Sequence, residues 1–308
     1  MAREFFDGFQ QTHMSGVGAD INLRMRGPGR GGKVPAVLLI HGYPQTHFVW
    51  RHLAPRLAEN YVVVCPDLRG YGDSSVAARE TPDHAAYSKR AMAQDLAQVM
   101  TGLGFDRFAV VGHDRGARVG HRLAMDMPER VTSFCSLDVV PTGSVWQRAN
   151  KNWAMGSFHW LFLAQPAPRP EIMIGADPDH WLTWLMEAWS ADMEAFDDGA
   201  LEEYKRHFRK PQVIHATCED YRAGATIDDA LDRADLDAGR KLQCPVLALW
   251  GGRRKAGGPK TDGKVSALNI WGEWATDVRG GPVDCGHFLP EEAPAEVLRQ
   301  LEPFLAGN

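Results

Sequence analysis

A five-residue turn, Gly112-His113-Asp114-Arg115-Gly116, constrains what this chain can fold into more than any other feature of its sequence. The apolar run 108–111 precedes the turn, and a helical pattern starts directly after it. Two glycines spaced in this way between a strand and a helix predict a sharp bend that lifts the middle side chain above the sheet and directs backbone N–H groups at it. Glycine-rich turns of similar composition also occur without a catalytic role, so the strand and helix on either side carry the interpretation. We predict that Asp114 is a nucleophile.

The elements around this turn are those of an α/β protein. Five apolar runs have the length and composition of strands, and they span residues 36–41, 61–66, 108–112, 131–137 and 244–250. The clearest helical pattern covers 88–103, with Ser88 as its N-cap. A last strand is expected to end at Asp284 or Cys285. This alternation predicts an α/β fold with a mostly parallel central sheet and flanking helices.

Residues 141–240 differ in composition from the rest of the chain. They hold six of the ten tryptophans, together with His and Met, and prolines and glycines interrupt them. We predict that they form a helical cap, inserted into an α/β core made of residues 1–140 and 241–308. Two glycine-rich stretches, 27–32 and 251–264, are predicted to be loops.

Charge and cysteine content exclude several classes of function. The formal net charge is −5, so the chain has no general attraction for nucleic acid or for an anionic membrane surface. The five cysteines are odd in number and include no CxxC pair, which argues against a disulfide framework and against a zinc site. The N-terminus lacks the pattern of a secretory signal, and no apolar run approaches the roughly 18 residues of a membrane span. We expect a cytoplasmic protein.

An aspartate at the nucleophile position changes the chemistry expected of the turn. A serine there attacks acyl carbon, whereas a carboxylate can displace a leaving group from a saturated carbon and remain attached to it as an ester. The reactions that fit are removal of a halide and opening of an epoxide.

Two further positions complete a catalytic triad with Asp114. Asp138 ends the next predicted strand, and His287 follows the last one, so the chain order is nucleophile, acid, histidine. This order is that of the α/β-hydrolase fold, which we therefore predict. Asp262 is the alternative acid, because some members of that fold supply it from the loop after the following strand.

Backbone N–H groups near the turn are predicted to form an oxyanion hole. The segment His41-Gly42-Tyr43-Pro44 follows the first strong strand, where this fold places half of the hole. The other half is the N–H of the residue after the nucleophile. We assign the two donors to Tyr43 and Arg115.

Two arginines stand where a helix disfavours them. Arg115 and Arg118 occupy the first turn after Asp114, where the helix dipole opposes positive charge by roughly 0.3 to 1 kcal/mol each. Their spacing places both guanidinium groups on one helix face, and guanidinium groups bind carboxylates through charge-assisted hydrogen bonds. We predict a substrate that carries a carboxylate. The alternative is that an arginine pairs with an acid on the exterior, such as Asp126 or Glu129.

Taken together, the motifs resemble those of fluoroacetate dehalogenases, a branch of the haloacetate dehalogenases. The segments that carry the resemblance are HGYPQTH at 41–47, GHDRGAR at 112–118, HW at 159–160, LAQPAP at 163–168, CEDYRAG at 218–224 and GHFLP at 286–290. The resemblance implies conversion of a 2-haloacetate and water to glycolate and halide without metal or organic cofactor. It also implies a homodimer.

The same resemblance assigns the halide pocket to His159, Trp160 and Tyr221. Fluoride leaves poorly because its concentrated charge is costly outside water, so a site for it needs several N–H or O–H donors. Imidazole, indole and phenol groups supply three. On residue type alone, these side chains in a Trp-rich segment are more typical of the cap's own core.

Other functions stay open at this point. An epoxide hydrolase would need a pair of tyrosines in the cap, for which Tyr204 and Tyr221 are candidates. A dehalogenase inactive on fluoroacetate is a second alternative, and a non-catalytic receptor with this fold is a third. The chain also departs from many relatives at Tyr43, where they have Phe, and in its long, basic 251–264 loop.

Overall fold

The computed structural model of the chain describes residues 5–27, 34–196, 198–253 and 266–307. Within these ranges eight strands form one sheet: β1 (Gln10–Ser15), β2 (Asp20–Arg26), β3 (Ala36–Ile40), β4 (Val62–Pro66), β5 (Phe108–His113), β6 (Val131–Leu137), β7 (Val246–Gly251) and β8 (Val278–Val283). Their order across the sheet is β1-β2-β4-β3-β5-β6-β7-β8. Strands β3 to β8 are parallel to their neighbours within this set, whereas β1 and β2 pair antiparallel with each other and β2 with β4. The predicted mostly parallel sheet is confirmed.

The centre of the sheet is buried on both faces. All residues of β3, β4 and β5 are buried, as expected for parallel strands covered by helices on either side. Successive side chains of β3 pack into different cores: Leu38 and Ile40 belong to one apolar cluster, and Val37 and Leu39 to the other. The carboxyl ends of these strands are thereby held at one edge of the sheet.

Fourteen α-helices lie in the described ranges. They are α1 (Ala54–Leu57), α2 (Lys89–Gly102), α3 (Arg115–Asp126), α4 (Thr142–Arg148), α5 (Lys151–Gly156), α6 (Phe158–Leu163), α7 (Arg169–Gly175), α8 (Pro178–Trp189), α9 (Asp198–Phe208), α10 (Pro211–Ala225), α11 (Ile227–Asp237), α12 (Ala267–Trp274), α13 (Leu289–Glu292) and α14 (Pro294–Ala306). Short 3-10 helices cover His47–Trp50, Ala85–Tyr87 and Met193–Ala195. None of the helices in these ranges combines the length and the apolar character that crossing a membrane would require.

A helical insertion separates β6 from β7. It contains α4 to α11, and no strand lies between these two strands in the part of the chain that the structure describes. Its tryptophans pack on one another: the ring centroids of Trp146, Trp153 and Trp160 lie 5.4 to 5.7 Å apart, edge to face. The predicted helical insertion is confirmed, while its exact limits at 141 and 240 stay a prediction.

The predicted elements agree closely with the observed ones in the centre of the sheet and less well at its edge. Ser88 caps α2 as predicted, its hydroxyl accepting the N–H of Ala91 at 3.2 Å. The sequence did not reveal β1 and β2; β1 is largely exposed, so it lacks the alternation of apolar residues that identifies a strand. Most of the predicted loops 27–32 and 251–264 lies outside the described residues.

Candidate active site

Asp114 lies at the sharp turn between β5 and α3. Its backbone adopts φ 49° and ψ −119°, a conformation that side-chain-bearing residues rarely occupy and that is typical of strained functional turns. Close backbone atoms leave no room for a side chain at the two flanking positions. A Cβ on Gly112 would lie 2.4 Å from the Cα of Ala117. A Cβ on Gly116 would lie 2.2 Å from the carbonyl oxygen of Ile40. The two glycines of the motif are therefore what permits this turn.

The Asp114 carboxylate is buried and its two oxygens have different surroundings. Oδ1 accepts the backbone N–H of Tyr43 at 2.9 Å, while Oδ2 lies 3.9 Å from Nε2 of His287. Burial by itself raises the pKa of Asp114, but the electrostatic interactions with His287, His113 and the adjacent arginines outweigh it. The net pKa lies below the usual value for aspartate, so the group is a carboxylate at neutral pH.

His287 is oriented by Asp138. Its Nδ1 is hydrogen-bonded to Oδ2 of Asp138, and the other oxygen of Asp138 accepts the N–H of Gly251 at 2.8 Å. Nε2 of His287 has no hydrogen-bond partner among the described residues and is on the side of Asp114. The acid in contact with the histidine is thus Asp138, which directly follows β6; the alternative, Asp262, lies outside the described residues.

Arg115 forms an ion pair with an acid of the helical insertion. Its Nε and Nη2 donate to the two carboxylate oxygens of Asp220 at 3.0 and 2.6 Å, and Nη2 also donates to the Asp220 carbonyl at 2.7 Å. Asp220 belongs to α10 and was not among the acids expected from the sequence. Nη1 of Arg115 is buried and makes no hydrogen bond within the described residues. The pKa of Arg115 is raised, because attraction to Asp220 exceeds the opposing effect of burial.

Arg118 has no carboxylate partner within the described ranges. Its Nη1 donates to the carbonyl of Val140 at 2.7 Å and to the hydroxyl of Thr142 at 3.3 Å, and its Nε makes no hydrogen bond to a described residue. Burial and the nearby charge of Arg115 lower its pKa to about 10, so it remains a cation at neutral pH. The expected exterior partner Asp126 is instead held by Arg90 and Arg122.

The three residues expected to form the halide pocket contact one another. The Tyr221 ring stands at 81° to the rings of both His159 and Trp160, with centroids 5.7 and 5.9 Å away. The guanidinium of Arg118 lies 4.7 Å from the Trp160 ring centroid, and that of Arg115 lies 4.1 Å from the Tyr221 centroid. Burial lowers the pKa of His159 to about 3, so its imidazole is neutral.

A cavity of about 380 Å³ adjoins the nucleophile. Asp114, Arg118, His159, Trp160 and His287 line it, and Arg115, Tyr221 and Tyr43 each contact one of these lining residues. The structure thus brings all the predicted site residues to the cavity or into contact with its wall.

Two tryptophans that the helical insertion contributes to this wall were not among the predicted site residues. Trp153 and Trp189 both line the cavity. The Trp189 ring lies 4.6 Å from His159 and 5.3 Å from His287, and its carbonyl accepts the N–H of His287 at 2.9 Å. The only available signal was the clustering of tryptophans in the insertion, which does not distinguish a cavity wall from a packed core.

Known proteins similar to this chain were found by sequence and by structure. A family model described as the alpha/beta hydrolase fold matches residues 35–294. A fluoroacetate dehalogenase from Burkholderia sp is 43% identical over 98% of this chain and 95% of that protein. A soluble epoxide hydrolase from Corynebacterium sp. (strain C12) is 33% identical over 92% of this chain and 94% of that protein. The similarity to fluoroacetate dehalogenases inferred from the motifs is confirmed.

A solved structure extends the similarity to the whole fold. It belongs to a protein from Nostoc sp PCC 7120 that its description assigns provisionally to the α/β hydrolases. The two chains are 48% identical and superpose with a TM-score of 0.92, over 98% of this chain and 100% of the other.

Proposed function

This chain belongs to the α/β-hydrolase fold family, and we propose that it is a hydrolytic dehalogenase that converts 2-haloacetates to glycolate and halide through an ester of Asp114. The observation that carries the proposal is the position of Arg118. A buried guanidinium without a carboxylate partner in the described ranges lines the same cavity as the nucleophile. A buried cation needs a counter-charge, and a substrate carboxylate would provide it.

The first chemical step is displacement of the halide. Oδ2 of Asp114 is the attacking oxygen, because Oδ1 is already held by the N–H of Tyr43. Oδ2 forms a bond to Cα of the substrate as the carbon–halogen bond breaks, and the halide leaves with the bonding electron pair. His159 and Trp160 offer N–H donors in the wall of the cavity, and Tyr221 packs against both.

The second step is hydrolysis of the ester. Nε2 of His287 takes a proton from water, and the resulting hydroxide attacks Cγ of Asp114. Negative charge then develops on Oδ1, which lies at the Tyr43 N–H; the N–H of Arg115, at the start of α3, is the second donor proposed. Collapse of this intermediate expels glycolate, whose oxygen takes the proton from His287. Asp138 stabilises the protonated imidazole in between.

The test is halide release from fluoroacetate, chloroacetate and bromoacetate, followed with ion-selective electrodes. Glycolate is expected in equal amount. A single turnover in heavy-oxygen water should leave the label in the Asp114 side chain, because water attacks Cγ of the aspartate and not the substrate carbon. An unlabelled Asp114 after turnover would rule out the ester mechanism, and release of chloride without fluoride would restrict the substrate to the weaker carbon–halogen bonds.

Epoxide hydrolysis is the competing function, because one relative of similar coverage is an epoxide hydrolase. The tyrosine pair considered for it is not supported by the geometry. The hydroxyl of Tyr204 is hydrogen-bonded to Glu291, and its ring packs against Phe48 at 6.4 Å. Turnover of styrene oxide at a rate comparable to chloroacetate would favour that function.

Three other expectations from the sequence belong to the same proposal. The division into a core of residues 1–140 and 241–308 and a cap of residues 141–240 is one of them. The other two are a homodimer and a cytoplasmic location. Sedimentation of the purified protein tests the homodimer.

A further inference from the structure

A cluster of buried charges lies behind Arg115, where the helical insertion meets the rest of the chain. Its members are each at most 3% exposed: Arg115, Asp220, Lys89, Asp228 and Tyr71. Asp220 is at the centre, since it accepts hydrogen bonds from Arg115, from Nζ of Lys89 and, at 2.7 Å, from the hydroxyl of Tyr71. The sequence motif around Tyr221 did not predict these contacts of Asp220.

The contacts with Asp220 leave Arg115 a single orientation. Two of its nitrogens are occupied by the Asp220 carboxylate, and the Tyr221 ring covers the guanidinium plane at 4.1 Å. Nη1 is the nitrogen without a hydrogen bond in the described ranges, although it is buried. A buried donor without a partner is costly, so this nitrogen is the one available to a ligand.

Lys89 brings a second cation to Asp220. Its ammonium contacts Asp220 directly and lies 3.6 Å from Asp228, whose Oδ1 accepts the Lys89 backbone N–H at 2.8 Å. Burial opposes ionisation of Asp220, but Arg115 and Lys89 together hold its pKa well below the usual range. Asp220 therefore shares its negative charge between two cations.

We propose that Asp220 is a positioning residue of the substrate site, which holds the Arg115 guanidinium with Nη1 free for the substrate carboxylate. The inference rests on the proposed function for the identity of the substrate. Asp220 comes from α10 of the insertion and Arg115 from α3 of the sheet region. Docking of the insertion and orientation of the substrate-binding arginine are then the same interaction.

The test measures binding of glycolate, the expected product, by quenching of tryptophan fluorescence, because Trp153 and Trp189 line the cavity. Binding requires no chemical step. Asp220→Asn is expected to raise the dissociation constant about tenfold or more, as Arg115→Met should. The double variant Arg115→Met/Asp220→Asn should bind no more weakly than Arg115→Met alone, because Asp220 acts only through Arg115.

Asp235→Asn is the matched control. Asp235 of α11 is also a buried acid of the insertion and pairs at 2.6 Å with Arg122, further along the same helix α3. Its loss removes a similar ion pair between insertion and helix, so glycolate affinity should be unchanged. If Asp220→Asn does not fold, Asp220→Glu keeps the charge, displaces the carboxylate by one methylene, and should weaken binding similarly.

The outcomes separate this inference from the proposed function. Wild-type affinity in a folded Asp220 variant, or additive effects in the double variant, would overturn the positioning role. If the wild-type protein binds glycolate and the Asp220 variants do not, yet no haloacetate releases halide, the positioning role stands and the proposed reaction fails. Failure of the wild-type protein to bind glycolate would overturn the positioning role, whereas halide release decides the proposed reaction separately.

Discussion

Tyr43 is bonded on two sides: its hydroxyl accepts the indole N–H of Trp181 at 2.7 Å, and its backbone N–H donates to Asp114 at 2.9 Å. The hydroxyl of Tyr43 therefore faces the helical insertion. The oxyanion-hole donor is the backbone, which any residue supplies.

Tyr43→Phe should lower the free energy of unfolding by about 1 kcal/mol, because it removes one hydrogen bond to the half-buried indole of Trp181. Halide release should persist, because the backbone N–H stays in place. Urea unfolding and steady-state kinetics measure the two effects. A double variant with Trp181→Phe should show less than the sum of the single losses; loss of activity with unchanged stability would indicate a direct role of the hydroxyl in the reaction.

His287→Asn should form the Asp114 ester but fail to hydrolyse it. The first step needs only the carboxylate, whereas the second needs a base at Nε2. Mass spectrometry of the variant after mixing with chloroacetate should show the mass of one added carboxymethyl group, on the peptide that contains Asp114. The same treatment of Asp114→Asn serves as the blank, and an unmodified His287→Asn protein would contradict the two-step scheme.

Arg118→Leu should reduce kcat/KM on chloroacetate by at least about tenfold, the effect of losing one charge-assisted hydrogen bond to the substrate. Arg118→Lys keeps the charge without the planar donor geometry, and should lose less. Initial rates of chloride release measure both variants. Unchanged turnover by the leucine variant would show that Arg118 does not hold the substrate carboxylate.

Stability should decline as the pH falls below about 6.5, in part because of buried neutral histidines. Burial lowers the pKa of His159 to about 3 and those of His41 and His113 to about 4. Between these values and the ordinary 6.5 the unfolded chain binds protons that the folded chain does not, so lowering the pH favours unfolding. Each such histidine changes the free energy of unfolding by about 1.4 kcal/mol per pH unit in this range.

His159→Gln isolates one of these contributions. Urea denaturation at several pH values from 6.5 to 4 gives the free energy of unfolding as a function of pH. The slope of this free energy against pH should be smaller in the variant by the contribution of one proton. An identical slope in both proteins would show that His159 is not held neutral in the folded state.

The sequence by itself determined the parts of the protein that depend on neighbours in the chain. Gly112 and Gly116 can be recognised because they flank Asp114 between an apolar run and a helical pattern, and β3, β4 and β5 because parallel strands buried on both faces are continuously apolar. The order of nucleophile, acid and histidine follows from the positions of strand ends. The edge strand β1 could not be found in this way, since its exposed side chains carry no periodic pattern.

Tertiary structure alone decided which distant charges meet. Asp220 lies 105 residues from Arg115, and nothing near it in the chain marks it as that arginine's partner rather than Asp126 or Glu129. Such pairings depend on how the helical insertion packs over the strand ends, because burial makes a charge costly unless an opposite charge is brought to it. Local sequence carries the candidates, and only the packing of remote segments selects among them.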